Sequence, residues 1–119
     1  MIGQSALAED VLSGGFDIRD LIREDRVHRR VYTDPDIFER EMELLFGTAW
    51  IYVGHDSQVS QPGDYYCTRI GRQPVMLVRH SDDSVQVLYN RCGHRGAMVV
   101  AAESGNADEF RCCYHGWTY

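Results

Sequence analysis

The sequence predicts a mainly β protein in which an N-terminal arm and one short helix precede an antiparallel β domain. After residue 48, short runs rich in Val, Ile and Tyr alternate with turn sequences such as QPGD, IGRQ and SDDS. Alternation of this kind is typical of an antiparallel sheet. Before residue 48, apolar side chains recur at helical spacing only between residues 34 and 46.

The composition limits both the size of the fold and its partners. A chain of 119 residues with 44% hydrophobic side chains can form one small domain with a compact core. Its net charge of -6 disfavours nucleic acid or an anionic membrane as the main partner, because both repel an acidic surface. Without a basic leader or a long apolar run, we expect a cytoplasmic protein. Its four cysteines then stay reduced, so metal binding is a better expectation than disulfides.

The N-terminal part is predicted in two sections. Residues 1–32 form a solvated arm in this interpretation, and residues 33–48 form a helical lead-in. Either Thr33 or Asp34 can cap a helix that begins with a proline. The apolar side chains that follow at helical spacing predict a helix over residues 34–46.

The second part, residues 49–119, is predicted to be the β domain. Four strand-like runs of Val, Ile and Tyr precede residue 91 and are separated by turns. They are AWIYVGH, DYYCTRI, PVMLVRH and SVQVLYN. Four short strands within about 40 residues indicate an antiparallel sheet, because parallel strands need long crossover connections.

Two short boxes after the last strand each join cysteine to histidine. The first reads CGH, with Cys92 and His94, and the second reads CCYH, from Cys112 to His115. Together they offer two soft sulfurs and two imidazole nitrogens. Cys113 lies at the same distance from His115 as Cys92 does from His94, so spacing alone leaves Cys112 and Cys113 both open as the second sulfur ligand.

The mixed composition of the boxes discriminates between two metal sites. Zinc fingers place the two cysteines in one knuckle and the two histidines together on a helix. Here each box supplies one of each kind. Mixed boxes fit a binuclear cluster in which one iron binds both cysteines and the other binds both histidines.

The spacing Cys-x-His, 17 residues, Cys-x-x-His resembles the Rieske [2Fe-2S] motif. The flanking sequences CGHRGA and CYHGWTY resemble those of the large (alpha) subunit of bacterial aromatic-ring-hydroxylating oxygenases. The upstream stretch VYTDPDIFEREMELLFGTAWIYVGH is similar to the segment that leads into the Rieske domain of that family. The resemblance covers residues 28–119.

The resemblance implies a ligand set. Cys92 and Cys112 would bind the buried iron, while His94 and His115 would bind the outer iron. It favours Cys112 over Cys113, which stands where the family commonly has proline and is then expected to be a small buried side chain. Four further residues would shape the loops around the cluster: Arg95, Gly96, Gly116 and Trp117.

The resemblance also implies a reduction potential. Rieske proteins of respiratory-chain cytochrome complexes carry an extra disulfide between the boxes and a serine hydroxyl that bonds a cluster sulfur. Ala97 stands in place of one of those cysteines, and Trp117 follows the second His-Gly pair. Without these features we expect a potential near the low end of the Rieske range, about -150 mV.

A catalytic site is expected outside this chain. The resemblance implies a mononuclear Fe(II) on two histidines and a carboxylate in a catalytic domain, which would act on an aromatic substrate. The β domain is then truncated after the second box, and the chain is an N-terminal fragment. Implied partners are a reductase or ferredoxin donor, or both, and an alpha3 or alpha3beta3 oligomer in which His115 faces the neighbouring subunit.

Two alternatives remain at this point. A stand-alone Rieske-type ferredoxin has a similar length, although a long arm before the first strand is unusual for such carriers. A zinc-binding interaction module would use the same side chains, but the mixed boxes disfavour it.

Other reactive side chains have structural interpretations. Cys67 lies in a strand without a histidine at loop spacing and is predicted to be a packed core thiol. Asp82 and Asp83 fit the hairpin turn SDDS. The remaining histidines are predicted at the surface or in turns: His28, His55 and His80.

Overall fold

Two units make up the structure, a computed structural model that describes residues 11–12 and 15–119. The first unit comprises residues 1–49 and the second residues 50–119. Helices are short, and none in the described part of the chain has the length and apolar character needed to span a membrane. The architecture is mainly β with antiparallel pairing, as predicted.

The first unit has a small apolar core of its own. Leu12, Leu21 and Ile37 are buried together, and partly buried Ile18 and Val31 pack against them. The 3₁₀ turn Ile18–Leu21 and the short helix α1 (Arg30–Thr33) carry three of these side chains, and an exposed hairpin of β1 (Ile22–Arg23) and β2 (Arg26–Val27) lies between them in the chain. The prediction of a solvated arm is therefore wrong for these residues, because apolar side chains scattered through the arm meet the helix. Its remainder, residues 1–10 and 13–14, lies outside the described residues.

The predicted helix over residues 34–46 is confirmed. It consists of α2 (Pro35–Arg40), which continues as a π-helical segment, Glu41–Leu45. Asp34 is the cap, since its carboxylate accepts the backbone N–H of Asp36 at 3.0 Å. The same carboxylate pairs with Arg30 at 2.6 Å, which joins α1 to α2.

The second unit is built on a four-stranded antiparallel sheet in the order β5-β4-β3-β6. Its strands are β3 (Asp64–Ile70), β4 (Gln73–Arg79), β5 (Val85–Tyr89) and β6 (Ser104–Asn106). The middle of β4 is buried from Val75 to Val78. A 3₁₀ turn, Asp56–Val59, packs on β3 and β4 through Val59, which is fully buried. β3, β4 and β5 confirm three of the four strand predictions.

The remaining strand prediction is wrong. Residues 49–55 (AWIYVGH) lie outside the strands; Trp50 and Tyr52 are largely exposed, and His55 caps the 3₁₀ turn that follows. The fourth strand is β6, whose Ser-Gly-Asn sequence carries no β signal. The Tyr65 ring covers Gly105 so closely that a Cβ there would lie 2.6 Å from the phenol oxygen. Gly105 has little β propensity of its own, so its place in a strand depends on the Tyr65 ring beside it.

Candidate metal centre

The two cysteine–histidine boxes form loops with the same backbone frame. In the first loop, Cys92 N–H donates to Ala97 C=O and Gly96 N–H donates to Cys92 C=O, both at 2.8 Å. In the second loop, Cys112 N–H donates to Trp117 C=O at 2.7 Å and Gly116 N–H donates to Cys112 C=O at 2.9 Å. Each pattern spans the same number of residues, so the loops correspond position by position.

The two glycines are required by this frame. Gly96 has φ +72° and Gly116 has φ +74°, in the left-handed region that a side chain strains. The arginine before each cysteine lies over the glycine of its own loop. A Cβ at Gly96 would lie 3.9 Å from the Arg91 side chain, and one at Gly116 would lie 3.4 Å from the Arg111 guanidinium.

The correspondence distinguishes the adjacent cysteines. Cys112 occupies the position of Cys92, and both are buried. Cys113 occupies the position of Gly93, and both are exposed. The expectation that Cys113 is buried is therefore wrong, because the second position of this turn faces solvent in both loops.

The same correspondence explains why the histidine spacings differ. His94 takes the third position of its loop and His115 takes the fourth, so the equivalent of His94 is Tyr114. Despite this offset the imidazoles meet, with ring centroids 4.6 Å apart. Both are exposed. The loops therefore combine two buried thiols with two exposed imidazoles.

Aromatic side chains contact both imidazoles in different ways. Trp117 stacks on His94, with centroids 5.1 Å apart and ring planes within 7° of parallel. Tyr114 lies 3.9 Å from His115 and is tilted by 44°. The coplanar indole covers one face of His94, whereas His115 has no coplanar ring against it among these contacts.

Tyr119 connects the two loops through the sulfur of Cys92. Its hydroxyl accepts the Gly93 N–H at 2.9 Å and lies 3.1 Å from Cys92 Sγ. Because that N–H already donates to the oxygen, the hydroxyl hydrogen is available for the sulfur. The backbone of Tyr119 pairs with that of Phe110 at 2.8 and 2.9 Å, which closes the second loop and positions the phenol.

The surroundings of Cys92 stabilise a thiolate. The Tyr119 hydroxyl, followed by the backbone of His94, the Cys112 side chain and the backbone of Arg95, lowers the pKa of Cys92 against the opposing effect of burial. The same hydrogen bond raises the pKa of Tyr119. A sulfur ligand of iron binds as thiolate, so this environment suits metal ligation.

Asn90 holds the first loop to the sheet. This residue is 2% exposed. Its Oδ1 accepts the N–H groups of Val99 and Val100 at 3.1 and 2.9 Å, and its Nδ2 donates to Val100 C=O at 2.7 Å. The end of β5 is thereby joined to the segment that leaves the loop, so the start and the exit of the loop are fixed together.

The side chains at the centre fit a [2Fe-2S] cluster with two protein ligands on each iron. Within residues 11–12 and 15–119, no three or more His, Cys, Asp or Glu side chains are grouped to hold one metal ion. A Rieske cluster requires a sulfur pair and an imidazole pair, since sulfide completes the coordination of each iron. Cys92 lies next to Cys112 and His94 next to His115, so these pairs would hold such a cluster.

The other reactive side chains belong to a strand, a turn and the surface. Cys67 is half-buried in β3, where burial raises the pKa of its thiol and Asn90 Nδ2 lies 3.7 Å from its sulfur. Asp82 Oδ1 accepts the N–H and hydroxyl of Ser84, which lower the pKa of Asp82 to about 2. The predicted turn at residues 81–84 is confirmed. The predicted surface positions of the remaining histidines are also confirmed, since all three are exposed: His28, His55 and His80.

Comparison with known proteins identifies this arrangement. The family of the Rieske [2Fe-2S] domain matches residues 49–119. The chain is 45% identical over 94 residues to benzene 1,2-dioxygenase subunit alpha of Pseudomonas putida, covering 79% of this chain and 21% of that subunit. It is 41% identical over 105 residues to biphenyl 2,3-dioxygenase subunit alpha of Rhodococcus jostii, covering 87% of this chain and 23% of that subunit.

Solved structures show the same similarity. Naphthalene 1,2-dioxygenase from a Rhodococcus species matches with a TM-score of 0.75 and 35% identity, over 86% of this chain and 23% of that chain. A quaternary ammonium Rieske monooxygenase matches with a TM-score of 0.70 and 35% identity, over 76% of this chain and 26% of that chain. The chain thus spans about a fifth to a quarter of the length of these relatives. Because the family matches residues 49–119 and the similar proteins are dioxygenase alpha subunits, the chain belongs to the Rieske [2Fe-2S] domain family.

Proposed function

We propose that this chain is the electron-relay part of an aromatic-ring-hydroxylating dioxygenase alpha subunit. Cys92 and Cys112 would bind one iron of the [2Fe-2S] cluster, and His94 and His115 the other. The observation that carries this proposal is the equivalence of the two loops, which brings a buried sulfur pair next to an exposed imidazole pair. The cluster supplies one-electron transfer when it is bound.

The chain's own side chains suit this role. Burial of the two sulfurs keeps water from that side of the site, while the exposed imidazoles give a short path to a partner protein. Trp117 holds the ring plane of His94, and Tyr119 orients the sulfur of Cys92. Among the residues that the structure describes, no coplanar ring lies on His115, which favours His115 as the side chain that faces the electron acceptor.

The remaining components follow from the relatives and belong to the proposal. In the intact enzyme a mononuclear Fe(II) would hydroxylate an aromatic ring with O2, and NADH-derived electrons would arrive from a reductase, a ferredoxin or both. The relatives are alpha subunits, which supports an oligomer of the alpha3 or alpha3beta3 type. We place this enzyme in the cytoplasm, where Cys92 and Cys112 remain reduced for cluster assembly.

Chemical analysis of the full-length polypeptide tests the proposal. We expect two iron atoms and two acid-labile sulfides per cluster-binding domain after the catalytic iron has been subtracted, and a Rieske-type EPR signal on reduction. Zinc in place of iron, or iron without sulfide, would contradict it. Product formation from an aromatic hydrocarbon by the reduced protein then separates an oxygenase from an electron carrier.

Replacing Tyr119 by phenylalanine is expected to lower the reduction potential. The hydroxyl donates to Cys92 Sγ, and a donor to a cluster sulfur stabilises the more negative, reduced state. We expect a fall of about 30–60 mV, up to a tenfold change in the equilibrium constant of a one-electron couple. A redox titration measures it, and Tyr114→Phe is the matched control because Tyr114 contacts an imidazole rather than a sulfur. Equal potentials in the Tyr119 variant and the unchanged protein would contradict this role.

A further inference from the structure

The sheet of the second unit has a basic end next to the first cysteine–histidine loop. We call this the loop end; it contains the turn between β3 and β4 and the start of the loop, which are joined by Asn90 N–H donating to Pro74 C=O at 2.9 Å. Four exposed arginines lie here: Arg69, Arg72, Arg91 and Arg95. The sequence segments of the two loops, residues 91–97 and 111–119, contain no acidic residue.

The opposite end of the sheet is acidic. We call this the hairpin end; it contains the β4–β5 turn and the start of β3. Asp82 and Asp83 lie in that turn, and Asp64 begins β3. Arg79, a cation at this end, pairs with Asp83 and donates to backbone carbonyls, and the three aspartates outnumber it. Charge is therefore separated along the strands.

A groove at the loop end is lined by cationic and neutral groups alone. It is lined by Gln73, Tyr89 and loop residues 91–96. Arg91 and Arg95 make no salt bridge within the part of the chain that the structure describes. The Arg69 guanidinium donates to Arg72 C=O at 3.1 Å, which keeps it at the turn. The groove thus offers unneutralised guanidinium groups directly beside His94.

The distance between the two ends of the sheet determines which charges act on a docked protein. β4 has seven residues, so the two ends are about 20 Å apart at 3.3 Å per residue. The Debye length is about 8 Å at physiological ionic strength. A protein docked at the loop end therefore interacts with the arginines and hardly with the aspartates, even though the whole chain carries a net charge of -6.

We propose that the loop end is the docking surface for an electron-donor protein whose contact face is acidic, an inference that rests on the function proposed above. Carboxylates of the donor would pair with Arg91 and Arg95 in the groove and with Arg69 at its rim. Docking there places the donor beside the His94 loop. In each encounter the donor loses one electron and this domain gains one, with no bond made or broken.

Stopped-flow reduction of the full-length, cluster-loaded protein tests this surface. The probe is a reduced, acidic plant-type [2Fe-2S] ferredoxin, at ionic strengths from about 0.05 M to 1 M. We expect Arg95→Gln and Arg69→Gln each to slow the second-order reaction about 3–10-fold at low salt, with little effect at high salt. Calorimetry of the two oxidised proteins should show a matching loss of affinity. With reduced methyl viologen, a cation, Arg69→Gln should leave the rate unchanged or raise it, because Arg69 lies outside the loops.

Asp82→Asn is the control, since it changes one charge at the hairpin end and keeps the oxygen that caps Ser84. If net charge alone governed association, Asp82→Asn would accelerate the reaction as much as Arg95→Gln slows it, and this result would overturn the docking surface. Unchanged rates and affinities in Arg69→Gln, which lies outside the loops, would also overturn it. If the protein without any substitution holds no cluster, that result would instead refute the proposed function.

Discussion

Replacing Cys112 by alanine will abolish cluster assembly, whereas replacing Cys113 by alanine will leave the cluster intact. Cys112 is buried and has the same backbone frame as Cys92, while Cys113 occupies the exposed turn position of Gly93. Removal of one of two sulfur ligands leaves an iron without its full tetrahedral set. We expect cluster-bound iron and acid-labile sulfide to fall at least about tenfold in Cys112→Ala, measured by chemical analysis and by the EPR signal of the reduced protein.

The adjacent residue supplies the matched control for that result. Cys113→Ala removes a thiol one position away from Cys112, so general effects of losing a cysteine from the loop are the same. Retention of the cluster in Cys112→Ala, with its loss in Cys113→Ala, would mean that the second loop shifts by one residue on binding iron. The frame of Gly116 N–H and Cys112 C=O would then have to break.

The sequence predicts the pairing of the two cysteine–histidine loops better than it predicts the rest of the fold. Ligand spacing is a local property, because a cysteine and a histidine in one tight turn meet whatever the remainder of the chain does. The four proposed ligands are therefore brought together as two loops. Spacing alone leaves the choice between Cys112 and Cys113 open, because the choice depends on backbone hydrogen bonds to Ala97 and Trp117 that spacing does not encode.

The errors in the fold arise where long-range packing decides. Val, Ile and Tyr in residues 49–55 favour a strand, yet that segment lies outside the strands, since a strand also requires a neighbouring edge with which to pair. β6 has almost no propensity and forms because Tyr65 covers Gly105 and its backbone pairs with β3. Similarly, Leu12 and Leu21 are buried in a cluster with Ile37, which lies far from Leu12 along the chain.

Two residues important to the site have no spacing signal. Tyr119 lies within the similar flank CYHGWTY, but its contact with Cys92 joins residues 27 positions apart. Asn90 directly follows β5, where asparagine ordinarily indicates only a turn. A clue for Asn90 was its polarity directly beside a ligand loop, since a buried amide can satisfy several backbone groups at once.

Replacing Asn90 by alanine is expected to destabilise the second unit strongly. The substitution removes the partner of the N–H groups of Val99 and Val100 and of the Val100 C=O. Water cannot easily take its place, because Asn90 is 2% exposed. Each buried group left unsatisfied costs about 1–3 kcal/mol, so we expect a loss of about 3–5 kcal/mol in the free energy of unfolding. This is a large share of the 5–15 kcal/mol typical of a domain. Urea-induced unfolding of the full-length protein measures it.

Asn106→Ala is the matched control, because it removes the same amide from an exposed position. The Asn106 amide donates to Pro62 C=O and to the Asp64 carboxylate, where water can replace it, so we expect a loss below about 1 kcal/mol. Hydrogen exchange locates the effect. The amides of Val99 and Val100 should exchange faster in Asn90→Ala than in the protein without substitutions, and at an unchanged rate in Asn106→Ala. Equal destabilisation by both substitutions would show that Asn90 does not join β5 to the exit of the loop. A faster loss of iron from Asn90→Ala would link that junction to the metal centre, because the frame around Cys92 depends on where both ends of its loop are held.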